Sequence, residues 1–330
     1  MRAGMTQSLR IAILLATYQG ARYLGAQLDS LAAQEHRNWR LIASDDGSAD
    51  GTLEILRDFA AAHPWRDIQI RQGPRQGATR NFLSMIEAVG AGEALAWCDQ
   101  DDVWLPDRLS RGVAALAAAG ARGGNGGVLH VTRTTICDED LQPLGPAPLY
   151  TRPAAFANAL VQACTPGNTM LVDPPGVARL KAAQPGATAA GVISHDWWSY
   201  QVISGAGGLV IRDPARTVLY RQHRGNVMGR NDTPRAMLAR LGRLGAGDYG
   251  TWLRQNVAAL DAARGVLTPA NAAMLDDFAA AISAPGPLAA ARLARLGVYR
   301  QTRAGTAALL LAAAAGRLRS SNRNRLPADR

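Results

Sequence analysis

Three features of this 330-residue chain predict an α/β fold, a mostly parallel sheet with helices on both faces. Residues 9–16 form a near-continuous apolar run, the pattern of a strand buried on both sides. Strand-like and helix-like periods then alternate through residues 9–119. Polar and acidic residues stand directly after successive strands, on the edge where such sheets bind ligands.

Residues 23–33 carry apolar positions at helical spacing, 39–44 read as the second strand, and 51–62 present Leu53, Ile55, Leu56 and Phe59 along a helix. Residues 68–70 are a short strand, 82–89 a helix and 94–98 the fourth strand. Residues 106–119 open with Pro, which suits the first turn of a helix. A glycine-rich turn at 120–127 precedes a strand at 128–135. Residues 136–194, rich in Pro and Gly, read as irregular excursions from the sheet. A short helix at 195–204 and two short strands within 208–220 follow. From Thr233 the pattern is helical, at 237–244, 249–263, 270–282 and, with breaks, 288–318. The expected division is an α/β domain at 1–230 and a basic helical appendage at 231–330.

The net charge of +10 is concentrated in that appendage, where residues 231–330 hold fourteen Arg and no Lys against six Asp. A basic appendage suits an anionic surface such as a layer of lipid headgroups. Arg filling solvated positions is the competing reading, since Lys181 is the only lysine. Nucleic acid is not an expected partner: aromatic residues are 5% of the chain and no basic-aromatic platform occurs. Cys98, Cys137 and Cys164 are too scattered for a zinc knuckle or a disulfide framework, and a reducing, cytoplasmic setting is expected. The start of the chain has no signal-peptide pattern, and the apolar stretch at 306–315 is too short to span a bilayer.

The chemistry lies after the strands. Thr17-Tyr18-Gln19-Gly20 follows the first, Asp45-Asp46-Gly47-Ser48 the second and Asp99-Gln100-Asp101-Asp102 the fourth. Any one group might be a helix cap or a turn; three on one edge favour a ligand site. Carboxylates crowded like Asp99, Asp101 and Asp102 repel one another unless a cation sits among them. Hard oxygen ligands select Mg²⁺ or Mn²⁺, which keep coordination positions for phosphate oxygens. Such a cluster suits a diphosphate, whereas neither GxGxxG after the first strand nor GxxxxGK[ST] occurs.

On these residues the chain resembles glycosyltransferase family 2, with the GT-A (Rossmann-like) fold. The resemblance rests on Ala16-Thr17-Tyr18, on Asp45-Asp46-Gly47-Ser48, and on Trp97-Cys98-Asp99-Gln100-Asp101-Asp102-Val103-Trp104 with the following Leu105-Pro106-Asp107-Arg108-Leu109. Pro166-Gly167-Asn168-Thr169-Met170, His195-Asp196-Trp197-Trp198 and the stretch from Tyr220 to Val227 resemble its rhamnosyltransferase-like branch. The resemblance implies that Thr17, Tyr18 and Asp46 contact the nucleotide and that Arg80 and Asn81 close on the donor. It places Asp99 and Asp101 at the ribose and diphosphate, Asp102 as metal ligand, His223 near the metal, and Asp196 as catalytic base. Pro74-Arg75-Gln76-Gly77 departs from the pattern, since many relatives carry Asn before this Gly.

A carboxylate beside an attacking sugar hydroxyl can take its proton, and Trp197 and Trp198 would desolvate Asp196 or stack on a sugar. One base and one displacement predict inversion at the anomeric carbon. The expected reaction moves a sugar, rhamnose on dTDP by the resemblance, from a nucleotide diphosphate donor to a saccharide or lipid-linked acceptor, at a membrane surface if the basic helices dock there. The alternatives are a sugar nucleotidyltransferase, which lacks its basic triphosphate loop here, and a non-catalytic nucleotide-sugar-binding scaffold. Intact Asp101, Asp102 and Asp196 argue against the latter.

Overall fold

The computed structural model describes residues 9–223 and 248–319. The boundary expected at Asn231, the helix expected at 237–244 and the motif beyond His223 lie outside them.

One mixed sheet organises the described residues. Its strands are β1 (Ile11–Thr17), β2 (Trp39–Asp45), β3 (Ile68–Gln72), β4 (Ala94–Cys98), β5 (Val103–Trp104), β6 (Val128–Cys137), β7 (Pro143–Pro146), β8 (Leu171–Val172) and β9 (Leu209–Arg221). They run in the order β3-β2-β1-β4-β8-β6-β9-β5, with β7 on β6. β3, β2, β1 and β4 are parallel, β8 is antiparallel to both β4 and β6, and β9 is parallel to β6. The helices are α1 (Ala21–Ala32), α2 (Thr52–Ala62), α3 (Ala78–Met85), α4 (Arg108–Ala119), α5 (Phe156–Ala159), α6 (Pro174–Ala190), α7 (His195–Gly205), α8 (Asp248–Ala262), α9 (Pro269–Ser283), α10 (Gly286–Leu296) and α11 (Arg303–Ala314).

The apolar run of β1 is explained by two cores. Ile11, Ile13 and Leu15 face α1, α2 and α4 through Leu24, Leu28, Phe59, Leu109 and Val113. Ala12, Leu14 and Ala16, alternating with them, face a second core built by Phe82, Leu180, Trp197 and Trp198. A strand covered on both faces keeps no polar alternation. The second core continues through Tyr249, Leu253, Phe278, Leu293 and Leu309 to Leu318, so α8 to α11 extend the packing of that face.

Two readings of the sequence are corrected. The irregular excursion expected at 136–194 contains the 17-residue α6. Pro174 opens the first turn, the Asp173 side chain caps the Gly176 N–H, and Gly191 ends the helix in a left-handed conformation, while Pro185 lies inside the helix and removes one donor from its ladder. The two short strands expected in 208–220 are one strand, β9, whose register against β6 shifts between Val131 and Thr134. Pro214 lies in the matching stretch of β9, where a proline cannot donate to the ladder.

The turn before β6 depends on Gly127. Its φ is +81°, and a Cβ there would lie 2.2 Å from the Gly176 nitrogen at the start of α6. Gly127→Ala should therefore destabilise the fold by about 2 kcal/mol or more, from left-handed strain plus overpacking. Urea unfolding with an unchanged denaturant slope and a lowered midpoint is the expected result.

Candidate active site

Register brings the strand ends together. Thr17 pairs with Asp45, Asp45 with Gln72, and Leu15 with Cys98, so β1, β2, β3 and β4 finish at one edge. From the far side of the sheet, β9 runs antiparallel to β5, with Val103 opposite Leu219. The end of β9 therefore meets the acidic loop between β4 and β5.

At the β1–β2 end, Asp45 organises backbone. It accepts from Thr17 Oγ1 (2.8 Å), Ser48 Oγ (2.6 Å), and the N–H groups of Gly47 (3.1 Å) and Ser48 (2.8 Å). Asp46 holds the loop after β3, accepting the N–H of Arg75 at 2.6 Å and of Gly77 at 2.7 Å. Arg75 is held at φ +57°, an unfavourable angle for a non-glycine residue. Asn81 is buried and donates to the Ser44 carbonyl at 2.7 Å, while Arg80 is half-buried beside it on α3. Thr17 is likewise buried, whereas Tyr18 is 57% exposed, its backbone N–H and C=O both bonded to the Gln100 amide. A cavity of about 300 Å³ opens beside these loops, lined by Asp45, Ser48, Leu53, Arg57, Arg71 and Arg75 among others.

The acidic loop divides its carboxylates. Asp101 Oδ2 lies 2.8 Å from His223 Nε2, with both side chains partly open to solvent. The His223 ring packs on Tyr23, 4.7 Å between centroids, and Arg221 stacks its guanidinium over that same tyrosine. Arg221 also donates from Nε to the Asp101 carbonyl at 2.9 Å, fastening β9 to the loop. Asp102, the metal ligand implied by the family resemblance, is 0% exposed. One of its oxygens accepts the Asn168 amide at 2.6 Å and the other the Arg221 N–H at 3.2 Å. Behind it, buried Arg108 donates to the carbonyls of Asn168 and Met170 and lies over Trp104.

Burial, reinforced by Asp101 and Asp196, pushes the Asp99 carboxyl up to about 8. Burial with Asp101 and Asp99 also raises Asp102 well above the usual carboxylate range. Three carboxyls in one loop thus leave a deficit of positive charge. Among the described residues no group of three or more His, Cys, Asp or Glu is arranged to hold a metal ion. Asp101 and His223 hold each other through Oδ2 and Nε2, and on parting they fit a divalent cation that takes phosphate and water for its other ligands.

Asp196 stands in the first turn of α7, capped by Ser194. It accepts from the Ser194 hydroxyl, from the Trp197 N–H at 2.6 Å and from the Gly167 N–H at 3.3 Å. Burial raises its carboxyl to about 6, against the opposing pull of those backbone donors. The neighbouring His195 ring stacks on Phe82 at 3.9 Å and meets Trp97 edge-on at 4.9 Å, and burial lowers it to about 3. Trp197 is 5% exposed, donates its indole N–H to the Ala159 carbonyl at 2.6 Å and stacks on Tyr249. Its ring is spent on the core, which removes the sugar stacking expected of it.

Gly167 is needed where it is. A Cβ there would lie 2.7 Å from His195 Nε2 and 3.2 Å from the Asp196 Cβ. If Asp196 is the proton acceptor, Gly167→Ala, by pulling the 166–168 loop off it, should cut kcat roughly tenfold or more, because small misplacements near reacting atoms cost rate steeply. Losing a donor that favours the carboxylate should also move the acid limb of the kcat profile upward. A pH–rate profile of the variant checks both.

Tyr23, Ser194 and Phe82 carried no functional signal in the sequence, and Arg221 and Gln100 stood there only within the motifs around His223 and Asp101. Gly167 and Asn168 likewise stood within a motif, without a role of their own. Only their neighbours across the fold give these residues meaning.

Residues 12–146 match the family described as glycosyl transferase family 2. The chain is similar to the dTDP-rhamnosyl transferase RfbG of Shigella flexneri, 26% identical over 251 residues, which is 74% of this chain and 82% of that protein. Further relatives match over only 40% and 31% of their own length. The fold is GT-A-like. Residues 1–349 of S. aureus TarS, solved in complex with UDP-GlcNAc, align with a TM-score of 0.52 at 13% identity, over 94% of this chain and 88% of that one. GalNAc-T7, solved with UDP, GalNAc and Mn²⁺, aligns with a TM-score of 0.50 at 10% identity, over 75% of this chain and 47% of that one.

Proposed function

We propose that this protein transfers a sugar from a nucleotide diphosphate donor to an acceptor hydroxyl with inversion, Asp196 serving as the base. The observation that carries this reading is that one turn joins Asp196 to the 99–102 loop, the Gly167 N–H donating to Asp196 at 3.3 Å and the Asn168 amide to Asp102 at 2.6 Å. A proton acceptor thus stands beside a group suited to a cation and a diphosphate.

In this reading the nucleotide lies along the edge between Thr17, Tyr18 and the loop that Asp46 holds, with Arg80 at its side. Arg57, Arg71 and Arg75 offer positive charge around the adjoining cavity. Mg²⁺ or Mn²⁺, when bound, supplies charge neutralisation for the departing diphosphate. Asp101 and His223 would hold it. The ligand role implied for Asp102 is reassigned to them, because both Asp102 oxygens are engaged by protein donors away from solvent. Asp102 instead ties the acidic loop to Asn168 and β9, and Asn81 ties α3 to β2. Asp196 takes the acceptor proton, its carboxylate kept basic by burial and kept in place by the Gly167 and Trp197 N–H groups.

Similarity to RfbG favours dTDP-rhamnose as donor; the acceptor in this reading is a saccharide or lipid-linked hydroxyl, with a membrane surface as a further partner. The test is a panel of nucleotide sugars incubated with Mn²⁺ or Mg²⁺, reading donor hydrolysis and transfer, with and without a chelator. Turnover unaffected by chelation would overturn the metal role. A product of retained configuration would remove Asp196 as base.

A further inference from the structure

The basic C-terminal third separates into inward and outward charges. Arg254 donates to the Leu318 carbonyl, Arg300 to the Val161 carbonyl, and Arg264 pairs with Asp261 and Asp276. Arg254 and Arg300 thus fasten α8 and the 297–302 turn to their neighbours, while Arg264 is exposed but neutralised by its two aspartates. The outer faces of α10 and α11 differ. From Phe278 to Arg319 the sequence contains no Asp or Glu. Arg292, Arg295 and Arg303 point outward, and among the described residues no carboxylate pairs with any of them. Arg292 makes only a 3.4 Å contact with the Ala280 carbonyl.

Beside these charges, Leu288 and Leu311 are 46% and 70% exposed. Ala291, Ala307 and Ala314 are exposed with them, while Ala289, Leu293, Leu309 and Ala313 face the core. The helices pack antiparallel: a Cβ on Gly286 would lie 2.1 Å from the Ala314 carbonyl, and the Arg300 N–H bonds to Thr306. Neither is long and apolar enough to cross a bilayer, as holds for every helix among the described residues.

We propose that the outer faces of α10 and α11 dock this protein on an anionic phospholipid bilayer, with Arg292, Arg295 and Arg303 at the headgroups and Leu288 and Leu311 entering the interface. Charge complementarity selects the occupant: uncompensated guanidinium groups beside exposed leucines match a surface that is anionic outside and apolar beneath. Each basic residue near such a surface raises binding roughly fivefold, and the attraction fades as salt shortens the screening length. This surface deepens the membrane reading above but does not depend on the transfer reaction.

The experiment mixes the full chain with vesicles of phosphatidylcholine, with and without phosphatidylglycerol, at low and high salt, and separates bound protein by flotation. Binding to the phosphatidylglycerol vesicles alone, reversed by salt, is expected. The triple variant Arg292→Glu, Arg295→Glu, Arg303→Glu should bind at least about a hundredfold more weakly, by the per-residue effect of a basic group. Leu311→Ser with Leu288→Ser should weaken binding with no change of its salt dependence. Both variants should keep wild-type circular dichroism and donor hydrolysis. The proposal is overturned if wild-type protein ignores anionic vesicles, binds phosphatidylcholine equally, prefers RNA as a competing polyanion, or if the triple variant floats like wild type. Vesicle binding without donor hydrolysis would sink the transferase reading and leave this surface standing.

Discussion

Asp196→Asn should lower kcat by roughly 10³-fold, within the range for removing a general base, while donor KM moves by less than about threefold. The split follows from position. Asp196 is held by Ser194, Trp197 and Gly167, whereas the groups proposed to bind the nucleotide hang from Asp45 and Asp46 at the other end of the edge. Asn keeps the shape and its one oxygen can accept the shorter bond, from the Trp197 N–H, leaving only the 3.3 Å bond from Gly167 unmade, so the fold and the donor site should survive. A base must be ionised to act, and burial raises the Asp196 carboxyl to about 6. In the wild type, kcat should therefore rise with pH through about 6 and level off above it, and in Asp196→Asn that limb should vanish. A variant with unchanged kcat would assign the proton to another acceptor.

Asp101→Asn and His223→Ala should each raise the Mn²⁺ concentration needed for half-activation by about a hundredfold or more, beyond the 10–100-fold typical of lost outer-shell partners. Asp102→Asn should behave differently. Its carboxyl is sealed between the Asn168 amide and the Arg221 N–H, so an Asn there has one oxygen for two donors and leaves one of them unpaired inside the fold. The expected cost is stability, about 1–3 kcal/mol for a buried group left unpaired, with little change in the activation constant. Titrating Mn²⁺ against donor hydrolysis in the three variants, beside their thermal midpoints, separates the roles. If Asp102→Asn abolishes metal activation without loss of stability, the ligand is Asp102 after all.

β1 to β4, β6 and the helices α1 to α4 could be read locally because each announces itself by period. β1 lacks alternation because two cores cover it, and α1 repeats Leu24, Leu28 and Leu31 on one face. α6 escaped because its prolines and glycines look like loop signals until Asp173 is seen capping the Gly176 N–H and Gly191 ending the helix. β5 escaped because its two residues carry no period at all; only pairing with β9 makes them a strand. Trp197 was expected at a sugar because it adjoins Asp196, yet one residue along a helix turns the side chain by about 100° and sends it elsewhere.

From sequence alone came the domain type, the edge that carries the chemistry, and the acidic groups there, because short contiguous runs encode strand, turn and carboxylate together. Which carboxylate faces solvent is not a local property. Asp101 and Asp102 are adjacent in the chain, and only the arrival of β9 and the 167–169 turn gives one to His223 and seals the other against Asn168 and Arg221. The same holds for the C-terminal arginines, whose number is written in the sequence but whose direction, into the core or out toward a surface, is set by how α8 to α11 pack. Long-range contacts decide such questions because a side chain's partners are chosen by the fold, not by its neighbours along the chain.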